Sequence, residues 1–180
     1  MRIIAGANKG KILIAPAGAN TRPTADRARQ ALFDMIMHAS WGGRDLIEGA
    51  AVLDAFAGTG ALGLEALSRG GGFCHFIEQD KAALAALRAN IATCKRGDVR
   101  VWDANALTPP KGTACALVFL DPPYHRNLVQ AAVPKLTASG WIAPGSIVVA
   151  ETARDEAAPT GQGLLADRTH GAARIWVWQA

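Results

Sequence analysis

Apolar residues in this chain fall into short continuous runs separated by stretches of helical spacing, and that alternation predicts an α/β fold. Ala51-Val52-Leu53, Phe73-Cys74-His75-Phe76-Ile77, Val99-Arg100-Val101-Trp102, Cys115–Leu120 and Gly145–Glu151 read as strands. Runs this apolar suit a parallel sheet covered on both faces. Between them, Leu62, Leu64, Ala66 and Leu67 form a stripe that stops at Arg69-Gly70, a basic last turn followed by a glycine terminator. Ala83, Leu84, Leu87 and Ile91 recur at helical spacing within Asp80–Thr93, and Leu128–Leu136 predicts a further helix that Pro134 brings to an end. Residues 152–163 are poor in large apolar side chains and read as a loop. Leu164–Arg168 and Ala173–Trp178 close the chain as a strand pair around His170-Gly171, which places one antiparallel strand near the C-terminus of a mostly parallel, Rossmann-like sheet.

The first 44 residues follow a different pattern. Arg2–Gly6 and Lys11–Ala15 are β-prone and flank the turn residues Asn8 and Gly10, so a hairpin is expected. A helix from Ala25 to Ala39 follows, with Thr24 as its N-cap, Ala28, Leu32, Met35 and Ile36 facing inward, and Arg22, Arg27 and Arg29 outward. Gly42, Gly43 and Gly49 mark the loop into the first central strand.

A chain of 180 residues with 50% hydrophobic and 19% charged residues is of globular composition, and one domain is expected, with 1–44 as an extension and 50–180 as the core. No apolar run approaches the roughly 20 residues of a membrane span, and no signal-like segment follows the N-terminal charges. Cys74, Cys94 and Cys115 are far apart and odd in number, and neither they nor the four histidines show metal-ligand spacing. Reduced cysteines, no metal, no membrane and a cytoplasmic location are therefore expected. Charge changes the picture more. Residues 1–44 carry seven basic residues against two acids, a net +5, whereas the other 136 carry −1. A basic lobe on a near-neutral body predicts an acidic polymer as partner.

The chemistry gathers at strand ends. Gly58-x-Gly60-x-x-Gly63 after the first central strand also fits a dinucleotide fold. Asp54, four residues before Gly58, repels a pyrophosphate but suits an ammonium or sulfonium, both of which S-adenosylmethionine carries. Glu78 ends the next strand, 18 residues beyond Gly60, near the spacing of a carboxylate that takes ribose hydroxyls. Asp103 ends the third. Three carboxylates on one crevice call for a ligand rich in donors. Asp121-Pro122-Pro123-Tyr124 follows the fourth strand. Its prolines fix a rigid turn, so that the Asp121 carboxylate and Pro122 carbonyl can receive a planar amine while Tyr124 stacks on it.

Asp54–Gly60 together with Asp121–Tyr124 resembles class I S-adenosylmethionine-dependent methyltransferases of exocyclic amines. Arg2–Gly6, Thr21–Phe33 and Ala57–Gly70 are similar to the bacterial small-subunit (16S) rRNA guanine-N2 methyltransferases, the RsmD family. The resemblance implies that Asp54, Phe56, Gly58 and Gly60 hold the methionine part of the cofactor, that Glu78 takes the ribose, and that Asp103 with the backbone of Ala104 takes the adenine. It assigns Asp121, Pro122, Pro123 and Tyr124 to the target guanine. The basic residues of the hairpin and the following segment, Arg2, Lys9, Lys11, Arg22, Arg27 and Arg29, are expected to grip RNA phosphates. It implies a monomer acting on 16S rRNA, naked or within an assembled or assembling small subunit. Many family members have Phe at position 124 and a Tyr at position 170. The alternatives are a DNA or RNA adenine-N6 methyltransferase, a protein glutamine methyltransferase whose motif begins with Asn rather than Asp121, and a non-enzymatic nicotinamide-binding module.

Overall fold

The computed structural model describes residues 1–16, 23–157 and 163–180, apart from the side chains of 23–25 and 170. In chain order the elements are α1 (Pro23–His38), β1 (Ala51–Asp54), α2 (Ala61–Ser68), β2 (Phe73–Glu78), α3 (Lys81–Thr93), β3 (Val99–Asp103), β4 (Leu117–Leu120), α4 (Leu128–Ala138), β5 (Ile147–Ala153), β6 (Leu164–His170) and β7 (Ala173–Gln179). They build one seven-stranded sheet in the order β3-β2-β1-β4-β5-β7-β6. Strands β1 to β5 pair in parallel, and β7 runs against both of its neighbours. The expected Rossmann-like sheet with one reversed strand is what forms.

Both faces of the sheet are covered. Leu32, Phe33 and Ile36 of α1, Leu64 and Leu67 of α2, and Leu84 and Leu87 of α3 pack with Phe76, Phe119 and Val177 on one side. Ala132 and Leu136 of α4 join Leu53, Val118, Leu120, Trp141, Trp176 and Trp178 on the other. Alternation along β7 thus sends its tryptophans to one core and Ile175 and Val177 to the other. Residues 104–116 join β3 to β4 without a helix. They lie flat on Trp141, whose Nε1 donates to the Pro110 carbonyl at 2.8 Å, and a Cβ at Gly112 would stand 2.1 Å from the indole. Helix α4 continues through Pro134 rather than ending there. That proline is exposed, and Val129, Ala132 and Leu136 hold the helix to the core on either side of it.

Gly63 has a packing role. A Cβ there would meet the Phe76 ring at 2.4 Å and the Cys74 sulfur at 2.6 Å, so only glycine lets α2 approach β2 this closely. Cys74, Cys94 and Cys115 are free thiols with 0%, 2% and 1% exposure, and burial raises the pKa of each.

The N-terminal hairpin forms only in part. Arg2 and Ile12 make a single antiparallel bridge, with Ile3 donating to the Lys11 carbonyl and Gly10 to that of Ile3, both at 2.9 Å. Leu13 adds a bond to the Met1 carbonyl at 3.0 Å, but several other amides go elsewhere. Ile4 and Ala5 donate to the two carboxylate oxygens of Glu65 on α2 at 2.8 and 3.1 Å. Ala7 donates to the Ser68 carbonyl at 2.7 Å, and Asn8 to the Ser68 hydroxyl. Asn90 on α3 receives the Ile14 amide and donates back to its carbonyl. Glu65, Ser68 and Asn90 are all buried. They stand in for a missing strand, satisfying backbone groups that a regular ladder would otherwise take.

Candidate active site

The sheet order brings the carboxyl ends of β3, β2, β1, β4 and β5 to one edge, where open α/β sheets hold ligands. Two cavities meet there. The larger, of about 940 Å³, is bordered by Phe56, Gly58, Glu78, Ala104, Asn105, Asp121, Pro122, Pro123 and Tyr124 among others. The smaller, of about 330 Å³, lies toward α1 and is bordered by Met1, Leu32, Asp54, Phe56, Gly58 and Asp121. Phe56, Gly58, Asp121 and Glu151 belong to both.

Glu78 fixes the loop after β1 as well as facing the larger cavity. One of its oxygens accepts the Gly58 amide at 2.7 Å, and the other accepts those of Gln79 and Asp80 at 2.8 Å each. Gly58 is left-handed, with φ of 52°, and a Cβ there would meet nothing nearer than 4.0 Å. A ligand can therefore lie against bare backbone. Asp54 is turned under the loop, where it accepts the Gly63 amide at 3.0 Å. Burial pushes its acid up to about 7, the Gly63 hydrogen bond works against that rise, and the charge of Glu78 adds to it.

This shift has a sign that can be checked. In the unfolded chain Asp54 titrates near 3.8, so it favours the folded state fully below that value and loses the contribution as pH rises through about 7. Asp54→Asn removes the titration. Urea midpoints of the variant and the parent should therefore diverge in the variant's favour between pH 5 and pH 8. A constant difference across that range would show that Asp54 does not titrate there.

Asp121 and Glu151 come from adjacent strands at one level, because each follows a member of the registered pair Leu120 and Ala150. The Tyr124 hydroxyl donates to Glu151. Asp121 is exposed where it borders the cleft, yet its acid lies well above the ordinary range, first from loss of water, then from the charges of Glu151 and Asp54. Burial and the bond to Glu151 also keep the Tyr124 phenol protonated. Beyond the turn, His125 and Asn127 adopt left-handed backbone. Glu156 fastens this bend, accepting the amides of Arg126, Asn127 and Ala153. Glu151 and Glu156 were not singled out in the sequence. The position of Glu151 one residue past the fifth apolar run was the available signal.

Other expected site residues fall elsewhere. Gly60 is buried at the start of α2, where a Cβ would meet Leu87 at 2.4 Å, and it borders neither cavity. The Asp103 carboxylate pairs at the surface with Lys81 at 2.6 Å, while Ala104 and Asn105 form the cavity wall beside it. Arg29 corrects the expectation of an outward phosphate ligand. It shares a stripe with Leu32, Phe33 and Ile36, is 5% exposed, pairs with Asp26 at 3.0 Å, and approaches Glu65 at 3.6 Å. Arg2, Lys9, Lys11 and Arg27 are exposed, and Arg22 lies outside the described residues. Among the described residues no group of His, Cys, Asp and Glu is placed to hold a metal ion, and no helix is long and apolar enough to cross a membrane.

Comparison with known proteins agrees with this geometry. The family model described as Conserved hypothetical protein 95 matches residues 1–179. The chain is 39% identical over 162 residues to ribosomal RNA small subunit methyltransferase D of Escherichia coli K12, covering 89% of this chain and 78% of that one. It is 33% identical over 187 residues to the protein of the same name from Haemophilus influenzae, covering 99% and 93%. A solved structure of a candidate methyltransferase from E. coli superposes with a TM-score of 0.84 at 36% identity, over 99% of this chain and 97% of that one. An RNA methyltransferase of Salinibacter ruber, solved with S-adenosyl-L-homocysteine, shares the fold at a TM-score of 0.67 and 16% identity, over 88% and 93%. With the sheet, the acid-lined crevice and the Asp-Pro-Pro-Tyr turn in place, the chain belongs to the RsmD family of class I S-adenosylmethionine-dependent rRNA methyltransferases.

Proposed function

We propose that this protein methylates the exocyclic N2 amine of one guanine in 16S rRNA, using S-adenosylmethionine. The observation that carries the reading is the meeting of the two cavities at Asp121, beside Pro122 and Tyr124. The donor set fits the cofactor. Glu78 faces the larger cavity as an acceptor for ribose hydroxyls, and Ala104 and Asn105 offer backbone to the adenine edge. Asp103 reaches that edge by releasing Lys81. Their side chains are 44% and 81% exposed, and surface pairs of this kind contribute about 1 kcal/mol or less. Asp54, Phe56 and Gly58 border the smaller cavity, suited to the cationic methionine end. When bound, the cofactor supplies a methyl group activated by a sulfonium.

The protein's own part is to hold the amine in line and stabilise the charge that develops on it. Asp121 and the Pro122 carbonyl accept the two N–H bonds of the amine, while Tyr124 replaces a stacking neighbour of the unstacked base. Arg2, Lys9, Lys11 and Arg27, with Arg22, grip phosphates. In this reading residues 1–44 extend a single domain whose core is 50–180, and the enzyme works in the cytoplasm as a monomer without a metal. Mass mapping of 16S rRNA from cells lacking the gene should show one guanine without its N2 methyl group, restored by the parent gene and not by an Asp121→Ala copy. An unchanged methylation map would overturn the assignment.

A further inference from the structure

Glu151 borders the two cavities that meet at Asp121 and also a third, of about 300 Å³, between α1 and the β6–β7 pair. It stands beside Asp121 on the neighbouring strand. One of its carboxylate oxygens accepts the Tyr124 hydroxyl. Among the described residues the other oxygen has no hydrogen-bonded partner, so the side chain is held by its ring contact while one acceptor is left over.

We propose that Glu151 is the specificity-determining residue of this site and accepts the N1–H of the target guanine. The proposal rests on the guanine-N2 reading above. Guanine presents two adjacent donors on its pairing edge, N1–H and the N2 amine. In adenine the reactive amine lies beside a ring nitrogen that carries a lone pair instead. Asp121 beside Pro122 already supplies acceptors for an amine, and a second carboxylate at the same level of the sheet fits only an edge that offers one more donor. A lone pair in that position faces the charge of Glu151 with no proton between them. Tyr124 has a part in this selection, because its hydroxyl occupies one oxygen of Glu151 and thereby directs the other. A phenylalanine at 124 would leave Glu151 untethered.

The probe is 2-aminopurine riboside, which keeps the C2 amine of guanine but carries a lone pair at N1. It is placed at the mapped target position of small-subunit RNA, offered both naked and within reconstituted subunits. The parent enzyme should prefer guanine by on the order of 100-fold in kcat/KM, since a site built to bond a donor rejects an analogue lacking it. Glu151→Gln keeps an oxygen for Tyr124 and turns an amide N–H toward N1. Its preference should fall at least tenfold, with S-adenosylhomocysteine affinity by calorimetry within a few-fold of the parent. Equal use of guanine and 2-aminopurine by the parent enzyme overturns the proposal without recourse to any variant, as does a Glu151→Gln preference equal to the parent's. Methylation of adenine, or of no guanine N2, in either substrate overturns the functional reading and this inference with it. Guanine methylation with an unaltered preference overturns this inference alone.

Discussion

Asp121→Ala should lower kcat/KM for RNA methylation by at least about 10³-fold while leaving S-adenosylmethionine affinity within a few-fold of the parent. In the proposed reaction the carboxylate holds the amine as it reacts, and preorganised acceptors of this kind typically contribute two to three orders of magnitude each. On the same proposal Asp121 aligns the nucleophile, which adds to that figure. Loss of fold is not the cause to expect. Burial first, then the charges of Glu151 and Asp54, disfavour the ionised form of Asp121, so removing the carboxyl relieves desolvation and repulsion. The variant should melt at or above the temperature of the parent. A destabilised protein with lost activity would point to a structural role, and wild-type turnover would remove Asp121 from the mechanism. Single-turnover rates, calorimetry with the cofactor and thermal melts separate these outcomes.

Glu65→Ala should have the largest effect on stability, on the order of 3–5 kcal/mol, the usual result of removing one partner from a buried ionic cluster. Glu65 is 0% exposed. It accepts the amides of Ile4 and Ala5 and the guanidinium of Arg69 at 2.8 Å, with that of Arg29 at 3.6 Å. Its loss leaves the Arg69 guanidinium and two backbone donors without their acceptor, and strips Arg29, which keeps Asp26, of its second carboxylate. The expected result is a lower urea midpoint together with proteolytic cleavage within residues 1–14 under conditions where the parent is intact. RNA affinity should fall with it, since Arg2, Lys9 and Lys11 ride on that arm. Cofactor affinity should weaken less, because among the described residues of the extension only Met1, Ala28, Arg29 and Leu32 border the smaller cavity. If urea midpoint and protease resistance both match the parent, Glu65 is not the clamp described here.

The strands and helices of the core are readable because most of their apolar runs are buried, as with Leu117–Leu120 on β4, and because glycine stops and the Asp80 cap, which accepts the Ala83 amide at 2.8 Å, act locally. The Asp121–Tyr124 turn was readable for the same reason. What escaped depends on partners distant in sequence. The hairpin looked self-sufficient, yet its amides are taken by Glu65, 60 or more residues away. Arg29 reads as a surface cation because charge is ordinarily solvated, and its place in the core depends on Asp26, the Arg2 carbonyl and the buried carboxylate of Glu65 together. Asp103 has the expected residue type, but Lys81 at the start of α3 redirects it. Glu151 reads in the sequence as the end of a strand, whereas β5 runs on to Ala153. Its importance comes from lying level with Asp121 across a parallel pairing that no local pattern reports.

The three buried thiols make the folded protein a set of silent reporters. Cys74 sits within β2, Cys94 follows α3, and Cys115 precedes β4. With their ionisation suppressed, alkylating reagents gain access only when the surrounding structure opens. The Cys94 carbonyl accepts the side-chain amide of Asn8 at 2.9 Å, so detachment of the N-terminal arm should unmask that thiol before the other two. Mass-resolved pulse labelling thus distinguishes loosening of the arm from unfolding of the sheet in the native sequence, with no label or engineered cysteine added.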